Sequence, residues 1–173
     1  MKITLKPIGS IDSDTLEHLK ERLNRTFGCS IEITSQVDSP DRAYDPKRGQ
    51  YVASVLLAQL ETPAVARDGK ILGLADADLY APGLNFIFGQ ADTTSGVAII
   101  SLCRLRQEYY GLPSDEGLFL DRVAKEAVHE LGHAFGLGHC PDARCIMHFS
   151  NSLADTDRKQ AQFCSQCRPK LIK

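Results

Sequence analysis

Apolar and polar positions nearly alternate at the start of the chain. Ile3, Leu5 and Ile8 predict a first strand. From Leu16 the spacing becomes helical, with Leu16, Leu19, Leu23 and Phe27 on one face and Gly28 as the stop. Asp14 with Glu17 three residues on, inside the run Asp12-Ser13-Asp14, reads as a capping box. Ile31 and Ile33 alternate again in CSIEITS, so the chain opens as strand, helix, strand, a parallel βαβ unit.

A polar loop from Ser35 to Gln50 follows, rich in Asp, Arg and Pro; loops of this length are either functional or surface padding. Tyr51 to Leu60 is densely apolar and predicts a buried helix, with Thr62-Pro63 as its stop. Three strand-like segments come next without a helix between them: Lys70–Ala75, Leu84–Gly89 and Val97–Leu102. Their short connections suit antiparallel or edge pairing, which makes the sheet mixed. Asp76 and Asp78 supply too few oxygens for calcium and read as solvated loop acids, while Cys29 and Cys103 read as buried thiols in strands.

A turn-rich stretch, RQEYYGLPSDEG, leads to a long helix capped by Ser114 or Asp115 and running to about Phe135. Leu120, Val123, Ala124, Ala127, Leu131 and Ala134 form its core stripe. Arg122, Lys125, Glu126, His129 and His133 fall elsewhere on it, with Glu126 read as a solvated acid rather than a partner of His129. A short last helix is expected over Asp155–Phe163, before a basic tail.

The chain has 173 residues, a net charge of −2 and six cysteines, which bounds it to one domain over 1–173. Without a strongly basic face it is not a nucleic-acid binder, and no apolar run approaches a membrane span. MKITLKPIGSIDS lacks the apolar core of a secretory signal, so a soluble, cytoplasmic, monomeric protein is expected. Six cysteines in that compartment favour metal ligation or buried thiols over disulfides.

The candidate chemistry is concentrated between His129 and Cys167. In HELGHAFGLGHC, His129 and His133 lie four apart on one helix face, where both imidazoles can reach one metal ion. Gly136 can take positive φ and turn the chain back, which brings His139 round as a third ligand. Three nitrogens with one open position suit a catalytic zinc, and Glu130 is placed to take a proton from a water on it. Cys140-x4-Cys145 and Cys164-x2-Cys167 can hold a tetrahedral, structural zinc. Two disulfides and a CxxC redox pair are the competing readings of the same cysteines. His148 is expected to be a neighbour rather than a ligand, and His18 a solvated helix residue.

HELGHAFGLGHC followed by CIMHF resembles the signature of metzincin metallopeptidases, with Met147 at the position of the Met-turn. The interleaved Cys140, Cys145, Cys164 and Cys167 are similar to one branch, the archaemetzincins, and the likeness extends upstream through RLRQEYYGLPSDEGLFLDRVAKEAVHE. The resemblance implies an α/β (α+β) fold: a metzincin-like mixed twisted sheet and active-site helix over 1–138, then a four-cysteine zinc subdomain over 139–173. It favours zinc on the cysteines, hence two zinc ions per chain, and makes Met147 an apolar floor beneath the imidazoles. It also implies that Asn85-Phe86-Ile87-Phe88-Gly89 is an edge strand along which an extended peptide adds.

The ligand set by itself says only metal-assisted hydrolysis; the resemblance implies that the bond is a peptide bond of peptide or protein substrates, with Glu130 as general base, in an aminopeptidase or an endopeptidase. An aminopeptidase needs an acid near the substrate's amine, and none is assigned from sequence. The rival is a catalytically latent zinc protein that binds partners through its cysteine module. Glu130 beside the two histidines argues against it, because a dead site has no need of a base.

Overall fold

The chain is described by a computed structural model over residues 2–61 and 69–172. Strand β1 (Lys2–Ile8) buries Ile3 and Leu5 on one face, as the alternation requires. Helix α1 (Ser13–Phe27) begins at Asp12, whose carboxylate accepts the Thr15 N–H at 2.7 Å. The cap therefore lies two residues before the Asp14–Glu17 box read from sequence. Gly28 closes the helix at φ 62°, its N–H donating to the Asn24 carbonyl at 2.8 Å. Strand β2 (Ser30–Ile33) pairs parallel to β1 and completes the βαβ unit.

Beyond the polar loop lie β3 (Tyr44–Asp45), β4 (Gln50–Val52), α2 (Ala53–Leu60), β5 (Gly69–Ala75), β6 (Leu79–Tyr80), β7 (Gly89–Asp92) and β8 (Val97–Ser101). The Thr62-Pro63 stop lies outside the described residues. The main sheet has the order β2-β1-β5-β8-β7, parallel except for β7 at its edge, while β3, β4 and β6 form a small second sheet. Successive residues of β5 and β8 feed opposite cores. Leu72, Leu74, Ala98 and Ile100 face α1 and the active-site helix; Ile71, Val97 and Ile99 face α2. The mixed sheet thus lies between helices on both faces.

Helix α3 (Glu116–Ala134) starts at Asp115, which accepts the Leu118 N–H at 2.9 Å. Phe119 is its first buried side chain, while Leu120 is only partly covered. Helix α4 (Leu153–Arg158) is shorter than the expected Asp155–Phe163. The chain leaves it because Gln160 N–H donates to Arg144 O and Gln162 O accepts from Ile146 N–H, pinning this stretch beside the Met147 turn. Arg122 holds α4 to α3 by a bidentate pair with Asp157, both contacts 2.7 Å.

The edge strand differs from expectation in register. Pairing with β8 runs from Gly89 to Asp92, while residues 84–88 form a bent lead-in touching the small sheet through Ile87 and Leu79. Carbonyls that a strand would offer are taken by side chains: Arg48 donates to Leu84 O and Asn85 O at 2.9 Å each, and Gln50 to Asn85 O at 3.0 Å. The loop from Ser35 to Gln50 therefore holds the lead-in. Asp78 is not a solvated acid: Arg104 binds it at 2.5 and 2.7 Å, and the same guanidinium lies 4.2 Å over Phe86. Cys29 and Cys103 are only half-buried, and Cys103 lies in a 3-10 turn rather than a strand. No helix among the described residues is long and apolar enough to cross a membrane.

Candidate active site and cysteine cluster

Helix α3 delivers His129, Glu130 and His133 to a cavity of about 470 Å³. The helix ends at Ala134, and Gly136 at φ 89° turns the chain so that His139 comes to the same opening. One potential ligand atom from each of the three histidines lies within 4.8 Å of the others.

The chain path fixes the tautomers. His129 Nδ1 lies 2.8 Å from Ile146 O, and His133 Nδ1 lies 2.7 Å from Leu137 O. A carbonyl only accepts, so both Nδ1 atoms carry the proton and both Nε2 atoms present lone pairs. Those two lone-pair atoms are 3.1 Å apart. Left alone they repel; a cation at bond lengths of about 2.0–2.1 Å to each makes the separation sensible. Burial lowers the proton affinity of all three imidazoles, aided for His129 by the Lys159 charge and for His139 by His133. They stay neutral, as metal ligands must be.

Glu130 is 5 % exposed and lines the cavity. Burial raises its proton affinity well above the carboxylate norm; Glu126 adds to this and Lys159 opposes it. Strand β7 closes over it so tightly that a Cβ on Gly89 would lie 2.5 Å from Glu130 Cγ. On the same helix, a Cβ on Gly132 would collide with Met147 Sδ, so glycine lets the fully buried Met147 pack against α3. His148 points away: its Nδ1 donates to Cys140 O at 2.9 Å.

The cavity's other wall is the lead-in and edge strand, residues 84–91. Ser101 N–H donates to Phe88 O at 2.7 Å, and in the same register Gln90 opposes Ile99. Alternate residues of an edge strand face outward, so Gly89 and Ala91 turn their backbone groups to the open side. Leu84 and Phe149, both more than half exposed, flank the mouth with apolar surface.

Cys140, Cys145, Cys164 and Cys167 form a second cluster whose sulfurs all lie within 4.8 Å of one another. Cys140 Sγ and Cys164 Sγ are 3.8 Å apart, far beyond the 2.03–2.05 Å of a disulfide and equal to the edge of about 3.8 Å in a tetrahedron of 2.3 Å zinc–sulfur bonds. At Cys164, burial raises the thiol but backbone N–H groups of Cys167 and Gln166 outweigh it, bringing it to about 7. Burial pushes Cys145 and Cys167 upward, so four thiolates here need a cation. Both donor sets fit zinc.

Two buried groups escaped the sequence reading. Glu126 is only 4 % exposed, not solvated, and Lys159 is 2 % exposed, its Nζ donating to His148 O at 3.0 Å. Glu126 shares one helix face with Glu130 and His133, at spacings of four and three, a signal open to a closer reading; nothing local marks Lys159 as buried.

Peptidase family M54 matches residues 21–173. An archaemetzincin of Methanocaldococcus jannaschii is 41% identical over 99% of this chain and 93% of its own length, and one of Pyrococcus furiosus is 45% identical over 98% and 91%. The crystal structure of an archaemetzincin from Archaeoglobus fulgidus, complexed with malonate, superposes with TM-score 0.86 at 38% identity, covering 98% of this chain and 99% of that one. A zinc-dependent peptidase from Methanocorpusculum labreanum gives 0.88 at 33% identity over 98% and 99%. With its mixed sheet, its helix-borne histidines and its cysteine cluster, the chain belongs to peptidase family M54, the archaemetzincins, and is a zinc metallopeptidase.

Proposed function

We propose that His129, His133 and His139 hold the catalytic zinc, that Cys140, Cys145, Cys164 and Cys167 hold a second, structural one, and that Glu130 is the general base. The observation that carries this reading is the meeting of two proton-free Nε2 atoms, 3.1 Å apart, beside a buried carboxylate in an open cavity. Zinc bound there supplies Lewis acidity that brings the pKa of water to about 7. Glu130, whose proton affinity burial raises, takes the attacking water's proton and passes it to the leaving amine. The outward backbone groups of Gly89 and Ala91 align an extended substrate as an added strand. The cysteine cluster ties the Met147 turn to the C-terminal segment.

The test joins metal counting to hydrolysis. Wild-type protein should carry two zinc ions per chain and cut a diverse peptide library; Glu130→Gln should keep both ions and lose about 10²–10⁴-fold in rate. A fully metallated Glu130→Gln protein that cuts at the wild-type rate refutes the role of Glu130. A single zinc per chain refutes the two-site assignment.

A further inference from the structure

One carboxylate outside the active-site cavity holds the cavity's apolar wall from behind. Asp78 lies in the connection between β5 and β6, and neither it nor Arg104 belongs to the cavity lining. Arg104 binds Asp78 Oδ1 through Nε at 2.5 Å and Oδ2 through a terminal nitrogen at 2.7 Å. Gln50 Nε2 and the Tyr109 hydroxyl also donate to Oδ2, at 3.0 and 3.3 Å. The Asp78 and Arg104 side chains are only 14 % and 16 % exposed, so loss of either leaves a half-buried charge without its partner. From this hub two arms reach the wall. The Arg104 guanidinium, oriented by the fork, lies 4.2 Å over the ring of Phe86, which lines the cavity and meets Phe88 edge-on at 5.2 Å. The Gln50 amide that donates to Asp78 also donates to Asn85 O at 3.0 Å, and its carbonyl accepts from Arg48 Nε at 2.8 Å. The clamp grips the lead-in just before its ladder with β8 begins at Gly89. A carboxylate alone suits this hub, because it only accepts; asparagine would set a donor against other donors.

We propose that Asp78 is a positioning residue for substrate selectivity: through Arg104 and Gln50 it fixes Phe86 and its neighbours as a rigid wall that selects a large apolar side chain beside the scissile bond. This rests on the zinc assignment for the three histidines, because the wall acts on a substrate anchored there. Leu84, Phe86, Phe88 and Phe149 line one cavity with the histidines, and they offer apolar surface to such a side chain. Dispersion falls off within about 0.5–1 Å of separation, so a wall held in place rewards a ring laid against it and a loosened wall does not. The anchored end of the substrate is untouched by that change. Asp78 therefore acts on discrimination between substrates, not on the metal or on the chemical step.

The test reads binding as well as turnover. Zinc-loaded proteins are titrated with acetohydroxamate and hydrocinnamohydroxamate, which share one metal-chelating group and differ by a benzyl arm. Wild type should prefer the benzyl probe at least about tenfold, and Asp78→Asn should cut that preference to about threefold or less. Its zinc content and its affinity for acetohydroxamate should stay at the wild-type level. Arg104→Lys keeps the charge but loses the fork and the flat stack; it should act alike, and it decides the matter if Asp78→Asn does not fold. Asp76→Asn is the control: its partner Arg106 lies over Phe119 instead of Phe86, and the preference should persist. In turnover, Asp78→Asn should raise KM about tenfold for a peptide with phenylalanine at the cut, with kcat unchanged. A preference that survives in Asp78→Asn, or one lost equally in Asp76→Asn, overturns the proposal, as does wild type that binds both probes equally. Loss of zinc or of acetohydroxamate binding in Asp78→Asn makes the residue a general support of the fold and overturns it too. Wild type that carries zinc and binds acetohydroxamate upholds the metal reading whatever the benzyl arm does; wild type that binds neither probe overturns both.

Discussion

Replacing Gly89 by alanine tests whether β7 holds Glu130 in place. The new Cβ would lie 2.5 Å from Glu130 Cγ and 2.8 Å from both Cδ and Oε1. Carbon atoms rest at roughly 3.5–4.0 Å, so the carboxylate must withdraw by about 1 Å. A reacting group misplaced by that distance costs about 10²-fold in rate. The collision also strains the core by about 1–3 kcal/mol, or roughly 2–4 °C in Tm for each kcal/mol in a chain of this size. The three atoms nearest the added Cβ all belong to Glu130 and none to a donor residue, so zinc content should stay at the wild-type level. The assay is kcat/KM on a peptide substrate, with zinc per chain and Tm measured on the same preparation. Gly117→Ala is the control: its Cβ would meet only Asp115 Oδ1 at an ordinary 3.6 Å, and it should leave kcat unchanged while stabilising α3 by about 0.5–1 kcal/mol. A fully metallated Gly89→Ala protein with wild-type kcat/KM would refute the close packing of Glu130 on the edge strand.

Two further outcomes follow from other parts of the chain. Asp12→Ala should cost about 1 kcal/mol through loss of the Thr15 cap. Burial raises the Asp12 carboxyl, but the Thr15 N–H outweighs it and the group titrates below its ordinary value. Its stabilisation is therefore complete above the unfolded pKa and fades as pH falls through the folded one, so the Tm gap between wild type and variant should close in acid; a constant gap would refute the cap. Cys145→Ser, at a position 1 % exposed, should remove one zinc per chain and lower Tm by on the order of 10 °C, while the other ion stays bound. Retention of both ions would break the link between the cluster and its metal.

Much of this was legible where a period or a spacing carries the information. The βαβ unit, α3 and both donor clusters follow from alternation, helical stripes and ligand separation, because each is fixed by neighbours within a few turns. The edge strand was displaced because Phe86, Ile87 and Phe88 are apolar for reasons other than strand pairing. They wall a cavity, Phe86 also lies beneath Arg104, and distant side chains, Arg48 and Gln50, claim the carbonyls of Leu84 and Asn85. Glu126 reads as solvated from sequence because charged side chains usually are, and nothing local singles out Lys159. Only the meeting of α3 with the segment after α4 buries them, and that meeting has no local signature.

The partners that set the imidazole tautomers, the carbonyls of Ile146 and Leu137, are main chain. A side-chain orienting group can be erased by one substitution, whereas a peptide carbonyl survives any change at its own position. Residues 137 and 146, both buried, are thus free to vary among apolar side chains whose volume the core accepts. The vulnerability moves to whatever steers the backbone past the histidines, and Gly136, with its positive φ, is the first such point. Inherited or engineered damage to this centre should therefore appear first as altered loop geometry and weakened metal retention, with every donor residue still in the sequence.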